Sequence, residues 1–150
     1  MKFNLVCGPP GAGKNTFIKR EFSPSDLIID FDRLYDSITA AGTHVEKETY
    51  LISVISTMKR TVINELMNVK ADVTVWVISS IPEGRKREVT ARQLRSANTY
   101  LVMPKKEICI QHIKNDTKRE YSLNYISKIV DDWYKNYSPS KKDIIVEAIQ

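Results

Sequence analysis

The sequence contains few of the residues that mark disulfide scaffolds and metal centres. Of its 150 residues, two are cysteines and two are histidines. Two cysteines cannot form the dense disulfide framework of a small secreted domain. Cys7 and Cys109 each stand in an apolar run, where we expect buried free thiols of a reducing compartment. His44 and His112 are isolated and lack metal-ligand spacing, which argues against a histidine-based metal centre.

Long apolar segments are also absent. No run approaches the roughly 18 apolar residues that a membrane-spanning helix requires. The apolar run after Lys2 ends at Cys7, which is too short for the apolar region of a secretory signal. We therefore expect a cytoplasmic protein without a membrane partner.

The composition is that of an ordinary globular protein. Hydrophobic residues make up 42% of the chain and charged residues 27%, and we expect one domain over residues 1–150. The net charge of +5 favours anionic partners. Nucleotide phosphates and nucleic acid are both compatible with this net charge, and the charge alone does not distinguish between them.

Apolar runs typical of strands alternate along the chain with helical patterns. We predict strands at 2–7, 27–31, 73–78, 99–103 and 143–148. Helices are predicted at 15–20, 32–41, 46–69, 85–96, 105–114 and 123–137. This order predicts an α/β fold of three αβα layers with a mainly parallel five-stranded sheet. Ligands of such sheets bind beyond the carboxyl ends of the strands, so segments 8–16, 30–33 and 79–81 and Pro104 should share one rim.

A glycine-rich segment lies between the first predicted strand and the first predicted helix. It has the GxxxxGK spacing of a Walker A phosphate loop and consists of Gly8, Pro9, Pro10, Gly11, Ala12, Gly13 and Lys14. Its glycines let successive backbone N–H groups turn toward phosphate oxygens. Lys14 can reach the β- and γ-phosphates, and the positive end of the following helix faces the same anion. We predict that residues 8–16 bind a nucleotide triphosphate, ATP by default because no guanine-specifying NKxD motif is present.

The residue after the loop lysine departs from the motif. Serine or threonine is expected there, with a hydroxyl for Mg²⁺, and this chain has Asn15. A carboxamide oxygen can still coordinate magnesium, directly or through water. Thr16 carries a hydroxyl, but one residue along a helix turns it about 100° away. Asn15 is thus the predicted magnesium residue, with a weaker metal affinity than a hydroxyl would give.

The phosphate loop and the order of elements resemble the P-loop kinase branch of the Walker-type NTPases. The sequence is similar in particular to the small 5′-polynucleotide kinases and zeta-toxin-like kinases, many of which bacteriophages encode. This resemblance implies ATP and Mg²⁺ as cofactors, and a host cytoplasm as the location if a phage encodes the protein. It also implies an acid at the end of the second strand, which accepts the proton of the attacking hydroxyl, and an arginine that holds a phosphate. Asp30 and Arg33 match this DxxR spacing, and Asp32 is an equally suitable carboxylate.

Other roles for these acids stay open at this point. Asp30 or Asp32 could cap the following helix, as aspartate often does. The third predicted strand ends in Ser79 and Ser80 instead of the acid that many ATPases carry. This argues against a motor ATPase, and it leaves Asp30 or Asp32 to hold magnesium through water.

Arginines are the remaining candidates for the transfer site. The resemblance implies a mobile lid after the fourth-strand helix, which makes Arg119 the candidate lid arginine. Arg85, Arg92 and Arg95 can share one face of a helix, with Arg87 off that face. They could bind a phosphate-rich acceptor, or they could form a solvated basic face.

Two functions are compatible with these residues. The first is a small Mg²⁺-dependent kinase that transfers the γ-phosphate of ATP to a hydroxyl of a nucleic-acid end or a nucleotide. The second is a non-catalytic or weakly hydrolysing ATP-binding module that acts through a protein or DNA partner. Asn15 and the missing third-strand acid favour the second.

Overall fold

The structure, a computed structural model, describes residues 1–40, 47–116 and 121–147. Its centre is a five-stranded sheet in the order β2-β3-β1-β4-β5. All neighbouring strands of this sheet pair in parallel, which confirms the predicted α/β class. The strands are β1 (Lys2–Cys7), β2 (Leu27–Ile29), β3 (Thr74–Ser79), β4 (Asn98–Val102) and β5 (Asp143–Val146).

Six helices within the described residues connect these strands. They are α1 (Lys14–Glu21), α2 (Phe31–Ile38), α3 (Thr49–Met67), α4 (Gly84–Gln93), α5 (Lys106–Asn115) and α6 (Leu123–Asn136). None of the helices in the described ranges is both long enough and apolar enough to span a membrane.

The sheet separates two apolar clusters, because side chains alternate between its faces along each strand. On one face Val6 packs with Phe17 of α1 and Val130 of α6. On the other face Leu5 packs with Ile63 of α3 and Leu94, which follows α4. β1 lies between β3 and β4 and is buried on both faces from Phe3 to Cys7. The phosphate loop therefore starts from the buried central strand of the sheet. Cys7 and Cys109 are both buried free thiols, as predicted.

The second strand is shorter than the predicted 27–31. β2 ends at Ile29, Asp30 is the N-cap residue, and α2 begins at Phe31. Asp30 keeps an extended backbone with φ −133° and ψ 135°, and its side chain makes no capping hydrogen bond to α2. The consequence for the site is that Asp30 lies at the junction of a strand and a helix.

The fourth helix is also shorter than predicted, which corrects the arrangement of its arginines. α4 ends at Gln93, and Arg95 has a left-handed backbone conformation with φ 50°. The N–H of Arg95 donates to the Arg92 carbonyl, and that of Ser96 to the Ala91 carbonyl. This pair of bonds is the Schellman arrangement that ends helices. Arg95 therefore lies in a turn and does not continue a helical face with Arg85 and Arg92.

Candidate nucleotide and phosphoryl-transfer site

The phosphate loop connects β1 to α1 and has the backbone that an anion cradle requires. Gly11 and Gly13 have left-handed φ values of 74° and 89°, which glycine adopts at little cost. The N–H of Ala12 donates to the Pro9 carbonyl at 3.2 Å. α1 begins at Lys14, so its positive N-terminus opens on the loop. Residues 8–14 thus form a compact turn between strand and helix.

The loop is packed tightly against α5. A Cβ atom at Gly11 would collide with the carbonyl oxygen of Cys109 and with the side chain of Ile113. His112 Nδ1 lies 2.8 Å from the Gly11 carbonyl oxygen. An imidazole N–H donated to this carbonyl fixes the loop to α5. This contact could not be predicted from the sequence, because residues 11 and 112 are far apart in the chain and no local pattern marks their contact.

Lys14 is held close to its own loop. Its Nζ donates to the carbonyl oxygens of Gly8 at 2.8 Å and Pro9 at 2.9 Å. These bonds keep the ammonium at the loop, where the motif places the phosphates. Lys14 lines the same open cavity as the predicted acids Asp30 and Asp32.

This cavity, about 880 Å³ in volume, opens at the carboxyl ends of the strands. Residues 10–16 of the phosphate loop and α1 line it, and so do Asp30–Asp32 and Ser79 with Ser80. The predicted rim thus brings together segments that follow β1, β2 and β3. Pro104, also predicted at this rim, is buried and is not among the residues that line the cavity.

The two predicted carboxylates have different surroundings. Asp30 is only 8% exposed. Burial raises the pKa of its carboxyl, the charge of Asp32 acts in the same direction, and the charges of Lys59 and Lys14 oppose them. Asp32 is more exposed and forms an ion pair with Lys47 at 2.8 Å. Asp30 is therefore the more buried of the two carboxylates that line the cavity.

Lys59 is a site residue that the sequence analysis missed. It belongs to α3, lines the cavity, and donates from Nζ to the Ile78 carbonyl oxygen at 2.5 Å. Ile55 and Ile63, one turn before and after it, are both buried. The sequence does contain one indication of this position, because Lys59 stands in the middle of an apolar helical stripe.

Another side of the cavity is formed by α5, α6, Asp116 and Tyr121. Tyr121, Tyr125 and Ile129 line it together with His112 and Asn115. The rings of Tyr121 and Tyr125 are in contact, with centroids 5.0 Å apart. This side of the cavity is therefore more aromatic than the side that holds Asp30 and Lys59.

The cavity contains oxygen atoms suited to magnesium. Asn15 and Thr16 are both exposed and both line it, as do Asp30 and Asp32. Within the described ranges no group of three carboxylate, histidine or cysteine side chains could hold a metal by itself. Magnesium in nucleotide sites commonly uses one or two protein oxygens together with phosphates and water, so the residues present fit this ion.

Several predicted arginines do not line this cavity in the described part of the chain. Arg33 is exposed on α2, and Arg85 and Arg92 are exposed on α4. Arg95 lies in the turn after α4. Arg119 falls outside the described residues.

Arg87, predicted to lie off the basic face, is fully buried. Its guanidinium pairs with Asp143 at 2.6 Å and donates to the carbonyl oxygens of Ile81, Pro82 and Ser138. It thereby connects α4 with β5 and with the loop that leaves Ser79 and Ser80. Arg87 therefore helps to hold Ile81 and Pro82, which follow the cavity residues Ser79 and Ser80, in place.

Two solved structures resemble the chain over nearly its whole length. TT1252 from Thermus thermophilus superposes with a TM-score of 0.56 at 14% identity, covering 99% of this chain and 89% of TT1252. A shikimate kinase from Acinetobacter baumannii, in complex with shikimate, superposes with a TM-score of 0.51 at 19% identity, covering 100% and 85% of the two chains. No protein-family model and no curated protein matches the sequence. At these identities the similarity is one of fold, and the chain shares its α/β fold with this shikimate kinase.

Proposed function

We propose that the protein is an ATP-dependent phosphotransferase that moves the γ-phosphate of ATP to a hydroxyl group. The observation that carries the proposal is that Lys14 of the phosphate loop and the buried carboxylate of Asp30 line one cavity. Phosphoryl transfer needs charge neutralisation on one side and an oriented nucleophile on the other. The fold shared with a shikimate kinase supports the same class of reaction.

The phosphate loop would bind and neutralise the donor. Backbone N–H groups at Gly13 and Lys14, at the N-terminus of α1, would face the phosphates, and Lys14 would balance the charge on the transferring group. The acceptor oxygen attacks the γ-phosphorus while the bond to the β,γ-bridging oxygen breaks, and ADP leaves. Arg119 is proposed to close over the transferring group.

Asp30 is the proposed base or acceptor orienter. Its raised pKa makes it a better proton acceptor than an exposed aspartate. Its position as N-cap of α2 is compatible with this role, because the carboxylate lines the cavity from there. Asp32 is paired with Lys47 and is the less suitable base.

Magnesium would be held through Asn15, with Asp30 or Asp32 in its outer shell through water. Magnesium bound there would supply positive charge that neutralises the phosphates. Asn15→Ser restores the hydroxyl of the motif, so we expect the magnesium concentration for half-maximal transfer to fall on the order of tenfold. The measurement is a magnesium titration of the transfer rate with Lys19→Ser as the matched control. A variant that needs as much magnesium as the wild type would contradict the role of Asn15.

The proposed acceptor is the hydroxyl of a nucleic-acid end or a nucleotide in the cytoplasm. The net charge of +5 and the resemblance to small polynucleotide kinases support this class. Arg85, Arg92 and Arg95 would contribute only as an outer surface for a long acceptor, because they do not line the cavity.

The alternative is an ATP-binding module that hydrolyses weakly or not at all and acts through a protein or DNA partner. Asn15 in the metal position and the absence of an acid in Ser79-Ser80 favour it. Transfer of labelled phosphate from ATP to a panel of nucleic-acid ends, nucleotides and nucleosides distinguishes the two. If the wild type binds ATP but labels no acceptor and hydrolyses no more than Lys14→Ala, the phosphotransferase proposal is wrong.

Asp30→Asn is expected to lower the transfer rate on the order of 100-fold, since it removes the proton acceptor. ATP binding, measured as the thermal stabilisation that ATP gives in the presence of Mg²⁺, should change little because the phosphate loop is intact. Asp32→Asn is the matched control and should retain most of the rate. A larger loss in Asp32→Asn than in Asp30→Asn would exchange the roles of the two carboxylates.

A further inference from the structure

Lys59 reaches the cavity from α3, at the carboxyl end of the strand that neighbours β1. It extends from α3 to the carboxyl end of β3, where Nζ donates to the Ile78 carbonyl at 2.5 Å. β3 lies between β1, which carries the phosphate loop, and β2, which ends beside Asp30. The ammonium of Lys59 is thus placed on the Asp30 side of Lys14.

Burying the ammonium of Lys59 costs desolvation free energy, which its hydrogen bond to the Ile78 carbonyl does not by itself require. Burial lowers the pKa of Lys59, and the charge of Asp30 opposes this effect. A neutral amide or hydroxyl could donate to Ile78 without the desolvation of an ammonium. An ammonium carries three donors, of which the Ile78 bond uses one. Asp30 and Asp32 supply counter-charge to this ammonium, and its two remaining donors can bind an anionic ligand in the cavity.

The other lysines of the cavity have different positions. Lys14 is bound to its loop at Gly8 and Pro9, and Lys47 pairs with Asp32. Lys59 is the cation at the end of β3, next to the carboxylate that we assign to the acceptor hydroxyl.

We propose that Lys59 binds an anionic group of the acceptor, a phosphate monoester or a carboxylate, close to the hydroxyl that Asp30 orients. This inference rests on the proposed function and narrows its acceptor to molecules that carry a negative charge near the reacting hydroxyl. Nucleotides and nucleic-acid ends meet this condition through their phosphates, whereas unphosphorylated nucleosides do not.

The test fills the nucleotide site first, so that anions cannot enter the phosphate loop. Protein saturated with β,γ-imido-ATP and Mg²⁺ is titrated calorimetrically with inorganic phosphate and, separately, with acetate. We expect the wild type to bind one of these anions, and Lys59→Met or Lys59→Gln to bind it at least about tenfold more weakly. Lys59→Arg should retain the affinity because it keeps the charge. Arg60→Met, a change at the exposed neighbouring residue, is the matched control and should leave the affinity unchanged.

The proposal is overturned if the wild type binds neither anion, or if both neutral variants bind it as tightly as the wild type. Failure of the nucleotide analogue to bind contradicts the proposed function instead. The anion titration is then repeated on Lys14→Met, whose loop competes less for anions, with and without Lys59→Met. A loss of anion affinity on adding Lys59→Met supports the anion site at Lys59, and no loss overturns it.

Discussion

Arg87→Met is expected to lower the free energy of unfolding by about 3–5 kcal/mol, the usual loss when one partner of a buried ion pair is removed. The side chains of Arg87 and Asp143 are 0% and 1% exposed, and two hydrogen bonds join them. Methionine would leave the Asp143 carboxylate in the interior without its main counter-charge. The carbonyl oxygens of Ile81, Pro82 and Ser138 would lose a donor as well. Urea unfolding followed by tryptophan fluorescence measures the loss.

Two further variants separate the ion pair from a general effect of mutating α4. Arg92→Met removes an exposed arginine from the same helix and should change the stability by less than about 0.5 kcal/mol. The double variant Arg87→Met/Asp143→Leu removes both charges and should recover part of the lost stability. Equal stability of Arg87→Met and Arg92→Met would show that the buried pair does not stabilise the fold.

Arg87 also shows why part of this structure was not predictable from the sequence. Its partner Asp143 lies 56 residues away, and arginines on a polar helix normally face solvent. Lys59 is a similar case, because its role depends on the carbonyl of Ile78 on another element. Both residues look like ordinary surface charges until the tertiary fold brings their partners close.

The features that were predictable are those with local causes. A short apolar strand followed by GxxxxGK and a helix specifies the loop, because each residue acts on its immediate neighbours. Alternating strands and helices specify parallel pairing, since a crossover must return the chain to the same end of the sheet. The rim that joins Gly11, Asp30 and Ser79 follows from this topology alone.

The positions of Asp30 and Asp32 were predictable from the sequence only in part. Their spacing after β2 predicts carboxylates at the rim, and both line the cavity, but it does not predict which one is buried. The helix start at Phe31 makes Asp30 the junction residue, and Asp30 is the buried one. Asp32 falls in the first turn of α2, where Lys47 pairs with it.

Lys14→Met is expected to reduce phosphate transfer on the order of 100- to 1,000-fold, the loss typical of removing one preorganised charge-stabilising group. Methionine keeps most of the side-chain volume but cannot balance charge on the transferring phosphate. The variant should also lose most of the thermal stabilisation that ATP and Mg²⁺ give the wild type. Transfer assays and thermal unfolding with and without ATP measure the two effects.

Because Lys14 also donates to Gly8 and Pro9, its loss could act through the shape of the loop. Lys14→Arg separates the two causes, since arginine keeps the positive charge and donors but has a different shape. If charge dominates, Lys14→Arg should retain ATP-dependent thermal stabilisation while transfer falls, because the planar guanidinium cannot take the exact position of the compact ammonium. Lys19→Met, a change at an exposed residue of α1, is the control and should behave as the wild type. Transfer by Lys14→Met at the wild-type rate would show that the reaction does not depend on the charge of Lys14.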